Sequence, residues 1–457
     1  MERARCAELS KLVMLDFVQM KSFCEDPLVV ERAEGVRVWD TEGRGYIDGL
    51  SGIYVVNVGH GRPEIVEAMK AQLDRIAFAP QMATNPPALE LAELLIRITP
   101  EQYTRVKFHS GGSEATEAAI KLARQYHRQS GSPGRYKVLS HYRGYHGATG
   151  NSLAATGWPH LRAPFEPFPT GFIRLHTPDP YRPLFPGTPE QIGATYARLA
   201  DETIRMEGPS TVAAIIVEPV MMSAGIIVPP PGYLAGLREV ADRHGVLLIL
   251  DEVITGFGRT GKLFAREHSG VFPDLFCVGK GMSGGYAPLS AVVLSERIAD
   301  AFWGEPSESV QFHAGHTFAG NPLACAAGVA AVRVLIESGA LENGARVGAY
   351  AKRRLQELQA RHEAIGDVRG EGMLLGLEFV RDRQSRERFA DDVGFGLRVQ
   401  AEARQRGLLL RCSAWFAAVG PPLTTTAAEV DEIVSILDAS IGAVEASLGR
   451  IPAAAGR

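Results

Sequence analysis

Val246-Leu247-Leu248-Ile249-Leu250-Asp251 is an apolar run closed by a carboxylate, and its reading decides the fold. No polar residue alternates along it, which is the pattern of a strand buried on both faces. Similar runs flank it: Val212 to Val217 before, then Leu275 to Val278 and Ala291 to Leu294 after. Between the first two strands lies Gly232 to His244, with Leu234, Leu237, Val240 and Ala241 at helical spacing and Gly245 as the stop. Strand, helix and strand in that order predict βαβ units, and so a largely parallel sheet covered by helices.

Outward from this centre, Pro63 opens a helix predicted to place Val66, Met69, Leu73 and Ile76 on one face. Nine prolines between Trp158 and Pro189 predict an ordered loop or lid with no regular element. Both chain ends change character. Val36 to Trp39 and Tyr46 to Ile47 read as strands, Gly366 to Val380 as turn and strand, and Gly407 to Leu423 as strand, loop and strand. Thr426 with Glu429 forms a capping box for a closing helix carrying Val430, Ile433, Ile436 and Leu437. The expected layout is a large domain of residues 63–328 beside a smaller α+β domain built from residues 1–62 and 329–457. The Ala/Gly-rich tail after Leu448 is expected to be loose.

Composition narrows the function classes. The 457 residues are 46% hydrophobic, a globular value. The 48 basic and 52 acidic groups leave a formal net charge of -4, which gives no electrostatic reason to expect nucleic acid or an acidic membrane as partner. Five scattered cysteines without a C-x-x-C pair point away from a disulfide framework or zinc site, and no metal is expected. No signal-peptide pattern opens the chain and no apolar run is long enough to span a bilayer, so a reducing, cytoplasmic setting is expected.

Three features carry chemistry. Ser110-Gly111-Gly112-Ser113-Glu114-Ala115 lies between the apolar segment Val106 to Phe108 and a helix with Ala115, Ala118, Ala119, Leu122, Ala123 and Tyr126 on one face. Glycines at a strand-to-helix turn let backbone N–H groups approach a phosphate at the positive end of the helix. The same turn also serves plain chain reversal. Asp251 ends a buried strand, where a carboxylate needs a cationic partner; a helix cap is the other reading. Lys280 stands between Gly279 and Gly281 directly after the apolar segment Leu275 to Val278. Most lysines are solvated surface charges, but one placed here is partly desolvated, with a lowered pKa and an amine free to form a Schiff base. All three fall at strand carboxyl ends, where open α/β sheets bind ligands.

These residues belong to longer motifs: Gly112-Ser113-Glu114-Ala115-Thr116-Glu117-Ala118-Ala119-Ile120-Lys121, Tyr145-His146-Gly147, Glu218-Pro219-Val220, the stretch from Asp251 to Gly261, Gly279-Lys280, and the stretch from His316 to Pro322. In that order and chemistry the chain resembles the class III, or subgroup II, aminotransferases of pyridoxal phosphate (PLP) fold type I. The resemblance implies a mixed, mostly parallel sheet in the large domain and PLP held as a Schiff base on Lys280. It implies that Gly111, Gly112 and Ser113 hold the phosphate and that Tyr145 and Val253 sandwich the ring. Asp251 would pair with the ring nitrogen, with His146 and Glu218 beside the cofactor. Thr317 would reach the cofactor phosphate of a neighbouring subunit, which implies a homodimer with shared active sites, or a tetramer. The implied reaction is ping-pong transfer of an amino group through pyridoxamine phosphate.

The substrate is read from fewer residues. Branches similar to ornithine and 4-aminobutyrate aminotransferases carry Gln-Gly-Glu after the Glu-Pro pair, whereas Met221-Met222-Ser223 stands here. The segment looks more like the ω-amino acid:pyruvate and amine:pyruvate branch. That resemblance makes Tyr54 and Tyr142 pocket residues and Arg411 a mobile carboxylate-binding arginine, with a surface strand residue as the other reading of Arg411. Aminomutases and racemases of similar fold are the rival class.

Overall fold

The computed structural model describes residues 2–80 and 82–449, so the expectation for the tail falls almost wholly outside them. Three strands open the chain: β1 (Val30–Glu34), β2 (Arg37–Asp40) and β3 (Gly45–Asp48), paired antiparallel. Seven more follow: β4 (Tyr103–His109), β5 (Lys137–His141), β6 (Phe172–Leu175), β7 (Val212–Val217), β8 (Leu247–Asp251), β9 (Leu275–Val278) and β10 (Ser290–Ser295). They form one sheet in the order β4-β10-β9-β8-β7-β5-β6. The run from β6 to β9 is parallel, and β10 is antiparallel to both β9 and β4. The sheet is therefore mixed and mostly parallel, as the sequence implies.

Why the central strands read as unbroken apolar runs is visible in their packing. Ile215, Val217, Leu248, Leu250, Phe276 and Val278 belong to one core layer. Their alternate neighbours Ala214, Ile216, Leu247, Ile249, Leu275 and Cys277 belong to the other. Side chains alternate across a strand, so helices on both faces demand apolar residues at every position. The Gly112–Gln129 helix covers the second layer with Ala115, Ala118, Ala119, Leu122 and Ala123, small residues that let it lie close to the sheet.

Five strands close the chain: β11 (Ile365–Glu371), β12 (Leu374–Phe379), β13 (Leu408–Leu409), β14 (Arg411–Cys412) and β15 (Phe416–Val419). They split between two sheets. β11-β12-β15-β14 form one, while β13 crosses to β3, with Leu408 opposite Ile47. A sheet made from both chain ends is thus present. The capping box is also present: the Glu429 N–H donates to Thr426 Oγ1 at 3.3 Å and the Thr426 N–H donates to Glu429 Oε2 at 2.8 Å.

Three expectations are corrected. The proline-rich stretch is not without regular structure, because it contains β6 and a short helix, Pro159–Arg162. Pro169 and Pro178 leave a proline-free interval between them, and β6 is an edge strand that pairs on one side only. Residues 366–380 form a hairpin of two strands rather than one, turning at Gly372 with φ +54°. The Pro63–Leu73 helix buries Ile65 and Gln72, with Val66 and Met69 half-buried, while Leu73 and Ile76 are 53% and 40% exposed. Ile76 lies past the helix end, where its carbonyl accepts from Gln72 Nε2 at 2.8 Å. Among the described residues no single helix is long and apolar enough to cross a membrane.

Candidate active site

Lys280 enters the site from a short turn, Lys280–Met282, immediately after β9 and Gly279. Its φ is +45°, a left-handed conformation that costs a non-glycine residue energy and marks a constrained position. Gly281 makes the turn possible, since a Cβ there would fall 2.2 Å from Asn57 Nδ2. Lys280 Nζ donates to the carbonyl of Ile53 at 3.4 Å. Burial lowers the Lys280 ammonium to about 8; Asp251 opposes the shift and Arg411 adds to it. A substantial fraction of the amine is therefore a free base just above neutral pH.

Asp251 is the last residue of β8 and is buried. One of its oxygens, Oδ2, lies 2.9 Å from His146 Nδ1, and the other accepts the Val253 N–H at 3.2 Å. His146 is buried, and its Nε2 has no hydrogen-bond partner. Glu218 follows β7 and accepts the N–H groups of Tyr145 at 2.9 Å and Met222 at 3.3 Å. Burial, and then the neighbouring Asp251, push Glu218 up to about 8. At neutral pH the Glu218 carboxyl is therefore mostly protonated.

The phosphate-type turn lies at the end of β4. Gly111 is the extended residue before the Gly112–Gln129 helix, and nothing lies within 4 Å of where its Cβ would be. The first N–H groups of such a helix have no intrahelical acceptor and are free for an anion. Gly112 is required by packing: a Cβ there would fall 2.7 Å from Val253 Cγ1. Ser113 Oγ accepts the Ala148 N–H at 3.1 Å. Burial raises the Tyr145 hydroxyl; Arg411 opposes this and Asp251 reinforces it. Lys280, Asp251, Glu218, Tyr145 and Arg411 thus form one electrostatic cluster.

The remaining expected residues divide. Tyr54 is fully buried at φ +61°, its hydroxyl has no partner, and burial raises its pKa with Arg411 the foremost opposing charge. Arg411 is half-buried on β14, where its backbone pairs opposite Ala418, and its guanidinium makes no hydrogen bond or ion pair among the described residues. Tyr142 is 43% exposed and rests against the His176 ring at 6.1 Å between centroids. Thr317 is exposed and lines a separate cleft of about 840 Å³ with Phe78, Met82 and Phe318's neighbour Ala319.

Two groupings were not read from the sequence. Arg259 is fully buried and donates to the carbonyls of Met373, Gly420 and Pro421, to Ser51 Oγ and to Asn57 Oδ1. It ties both chain ends to the loop after Asp251. Its only signal is its place inside the Asp251-to-Gly261 motif. The second grouping is His109, Glu114 and His316, whose ligand-type atoms all lie within 4.8 Å of one another. Cysteine spacing carries no trace of it.

The aminotransferase class-III family model matches residues 21–441. The chain belongs to the class-III aminotransferases. A probable aminotransferase of Mycobacterium tuberculosis is 39% identical over 429 residues, covering 93% of this chain and 91% of that protein. A thermostable (S)-enantioselective omega-transaminase from Thermomicrobium roseum has a TM-score of 0.93 and 40% identity, covering 97% of this chain and 99% of that one. A PLP-bound amine transaminase from an uncultivated Pseudomonas species has a TM-score of 0.90 and 37% identity, covering 94% and 98%. This aminotransferase therefore has PLP fold type I, in a family that is PLP-dependent and acts on small-molecule amines and keto acids.

Proposed function

We propose that this aminotransferase uses PLP to move an amino group from an amine, an ω-amino acid or alanine to a keto acid such as pyruvate. The observation that carries the reading is Lys280: a glycine-flanked amine at a strand end, lowered to about 8 and within reach of the Asp251 charge. The surrounding residues fit the cofactor. Open space at Gly111, free N–H groups at the start of the Gly112–Gln129 helix and the Ser113 hydroxyl suit a phosphate. Asp251, oriented by His146, suits a protonated ring nitrogen. Tyr145 and Val253 would flank the ring, and Glu218 would lie at its edge.

When bound, PLP supplies a carbonyl carbon for amines to attack and a ring that takes up an electron pair. The chain's residues do the rest. The Lys280 amine would hold the cofactor and, when free, would move a proton on its Nζ between two carbons. Asp251 keeps the ring nitrogen protonated. Gly111, Gly112 and Ser113 anchor the phosphate, and Thr317 reaches the phosphate of a partner subunit. The exposed apolar Phe78, Met82 and Phe318 around Thr317 support such a homodimer interface.

Arg411 would grip the keto-acid carboxylate and swing aside for an apolar amine, with Tyr54 and Tyr142 as pocket walls. Its guanidinium has no acceptor among the described residues, which leaves it available. Ser223, standing where ornithine-type branches place a glutamate, favours pyruvate over that chemistry. The Thermomicrobium roseum relative supports (S)-selectivity.

A donor screen with pyruvate tests the reading, using alanine, β-alanine, ornithine and both enantiomers of a chiral arylalkylamine. Transfer from the (S)-amine is expected, with alanine or β-alanine at least as good as ornithine. A strong ornithine preference overturns the substrate class. A change of optical purity without net transfer replaces it with an isomerase.

A further inference from the structure

We propose that His109, Glu114 and His316 form a site for one zinc-class divalent ion. The three side chains each offer a ligand atom, and these atoms lie within 4.8 Å of one another. Two imidazoles and a carboxylate select zinc-like ions over magnesium or calcium, which prefer oxygen.

His109 supplies the independent observation. It is the last residue of β4, fully buried, and neither ring nitrogen has a hydrogen-bond partner. A buried imidazole left wholly unbonded carries the desolvation cost of each unpaired nitrogen. An ion at the centre of the cluster gives one of those nitrogens a partner. The His109 and His316 rings meet edge to face at 4.9 Å between centroids. Glu114 is already oriented: its Oε2 accepts the Ser110 N–H at 2.9 Å, and its Oε1 faces His316 Nδ1 at 3.7 Å. A loop N–H holding one carboxylate oxygen while the other faces the ligands is the outer support that metal sites use.

The geometry leaves a path in. In the single chain the side chains of His316 and Glu114 are 26% and 29% exposed, which gives an ion a way to the cluster before that face meets a partner subunit. Metal–ligand bonds of about 2.0–2.2 Å require the three atoms to draw together, which rotation of those two partly exposed side chains permits. Lys107 and Lys121 lie close enough to act on His109 and oppose added positive charge there. The affinity expected is therefore weaker than that of a structural zinc site.

The position gives the ion a task. His109 and Glu114 bracket the turn Ser110-Gly111-Gly112-Ser113, and His316 adjoins Thr317. On the PLP reading, a bound ion fastens the phosphate turn of one active site to the segment that reaches the phosphate of the other.

The test uses tag-free holoenzyme dialysed against a chelator and then titrated with zinc chloride, read by calorimetry and by metal content. One zinc per chain is expected, with affinity falling about tenfold or more in both His316→Ala and Glu114→Gln. Magnesium should not compete. Zinc binding that is absent, or unchanged in the two variants because it goes to cysteines, overturns the site. Bound PLP, followed by absorbance on the same samples, separates the two readings. Zinc failure with PLP retained sinks only the metal site, while PLP failure with zinc retained sinks only the cofactor reading.

Discussion

The strand ends of β7, β8 and β9 and the short strand β14 hold their functional side chains in opposite ways. At the strand ends Asp251 is fixed by His146 and the Val253 N–H, Glu218 by two backbone N–H groups, and Lys280 by a strained turn. On β14 the Arg411 guanidinium has no partner among the described residues. The difference separates two tasks. On the proposed function, the groups that would act on every substrate are over-determined by the core, and the group proposed to read the substrate has an unpaired guanidinium.

The largest effect should come from the over-determined side. Lys280→Ala should lower the transamination rate by about a thousandfold or more while leaving the circular dichroism spectrum intact, because it removes both nucleophile and proton carrier. A rate within tenfold of the parent would show that the strand ends do not carry the chemistry. Next is pH. The Lys280 amine, lowered to about 8, should react with added PLP faster as pH rises, about tenfold per unit below that midpoint and then levelling. The sign follows from the free base being the nucleophile. A midpoint near the ordinary lysine value of 10.5 would mean that burial does not tune this group.

On the unsatisfied side, Arg411→Ala should raise KM for pyruvate about tenfold or more and spare a simple arylalkylamine donor. Equal losses for both substrates would break the comparison, since Arg411 would then be structural. The smallest effect is expected at Tyr54, which lies in the field of Arg411. Its buried hydroxyl has no partner, so Tyr54→Phe should leave thermal stability unchanged or slightly raised. A clear drop in melting temperature would reveal a hydrogen bond at that hydroxyl.

What could be read from the sequence follows from the range of each interaction. β7, β8 and β9 are legible because full burial forces continuous apolar runs, and Asp251 and Lys280 stand out by closing them. β6 is hidden because proline density masks an edge strand that needs donors on one side only. Arg259 and the His109–Glu114–His316 cluster are invisible to spacing, since their partners come from distant segments. Arg411 had meaning only through resemblance, because an unpaired arginine on a two-residue strand leaves no pattern.

Arg259 and its neighbour Ser51 also set a timetable. Ser51 Oγ donates to the Gly420 carbonyl across 369 positions, and Arg259 bonds the same carbonyl. At bacterial or eukaryotic synthesis speeds the ribosome needs roughly 20–70 seconds to travel that far. In the folded chain β3 is paired with β2 on one edge and with β13 on the other, so the second edge has no native partner until residue 408 has been made. The nascent chain therefore spends most of its own making with one strand edge open to the wrong neighbour, and chaperone demand should be highest just before residue 408 emerges.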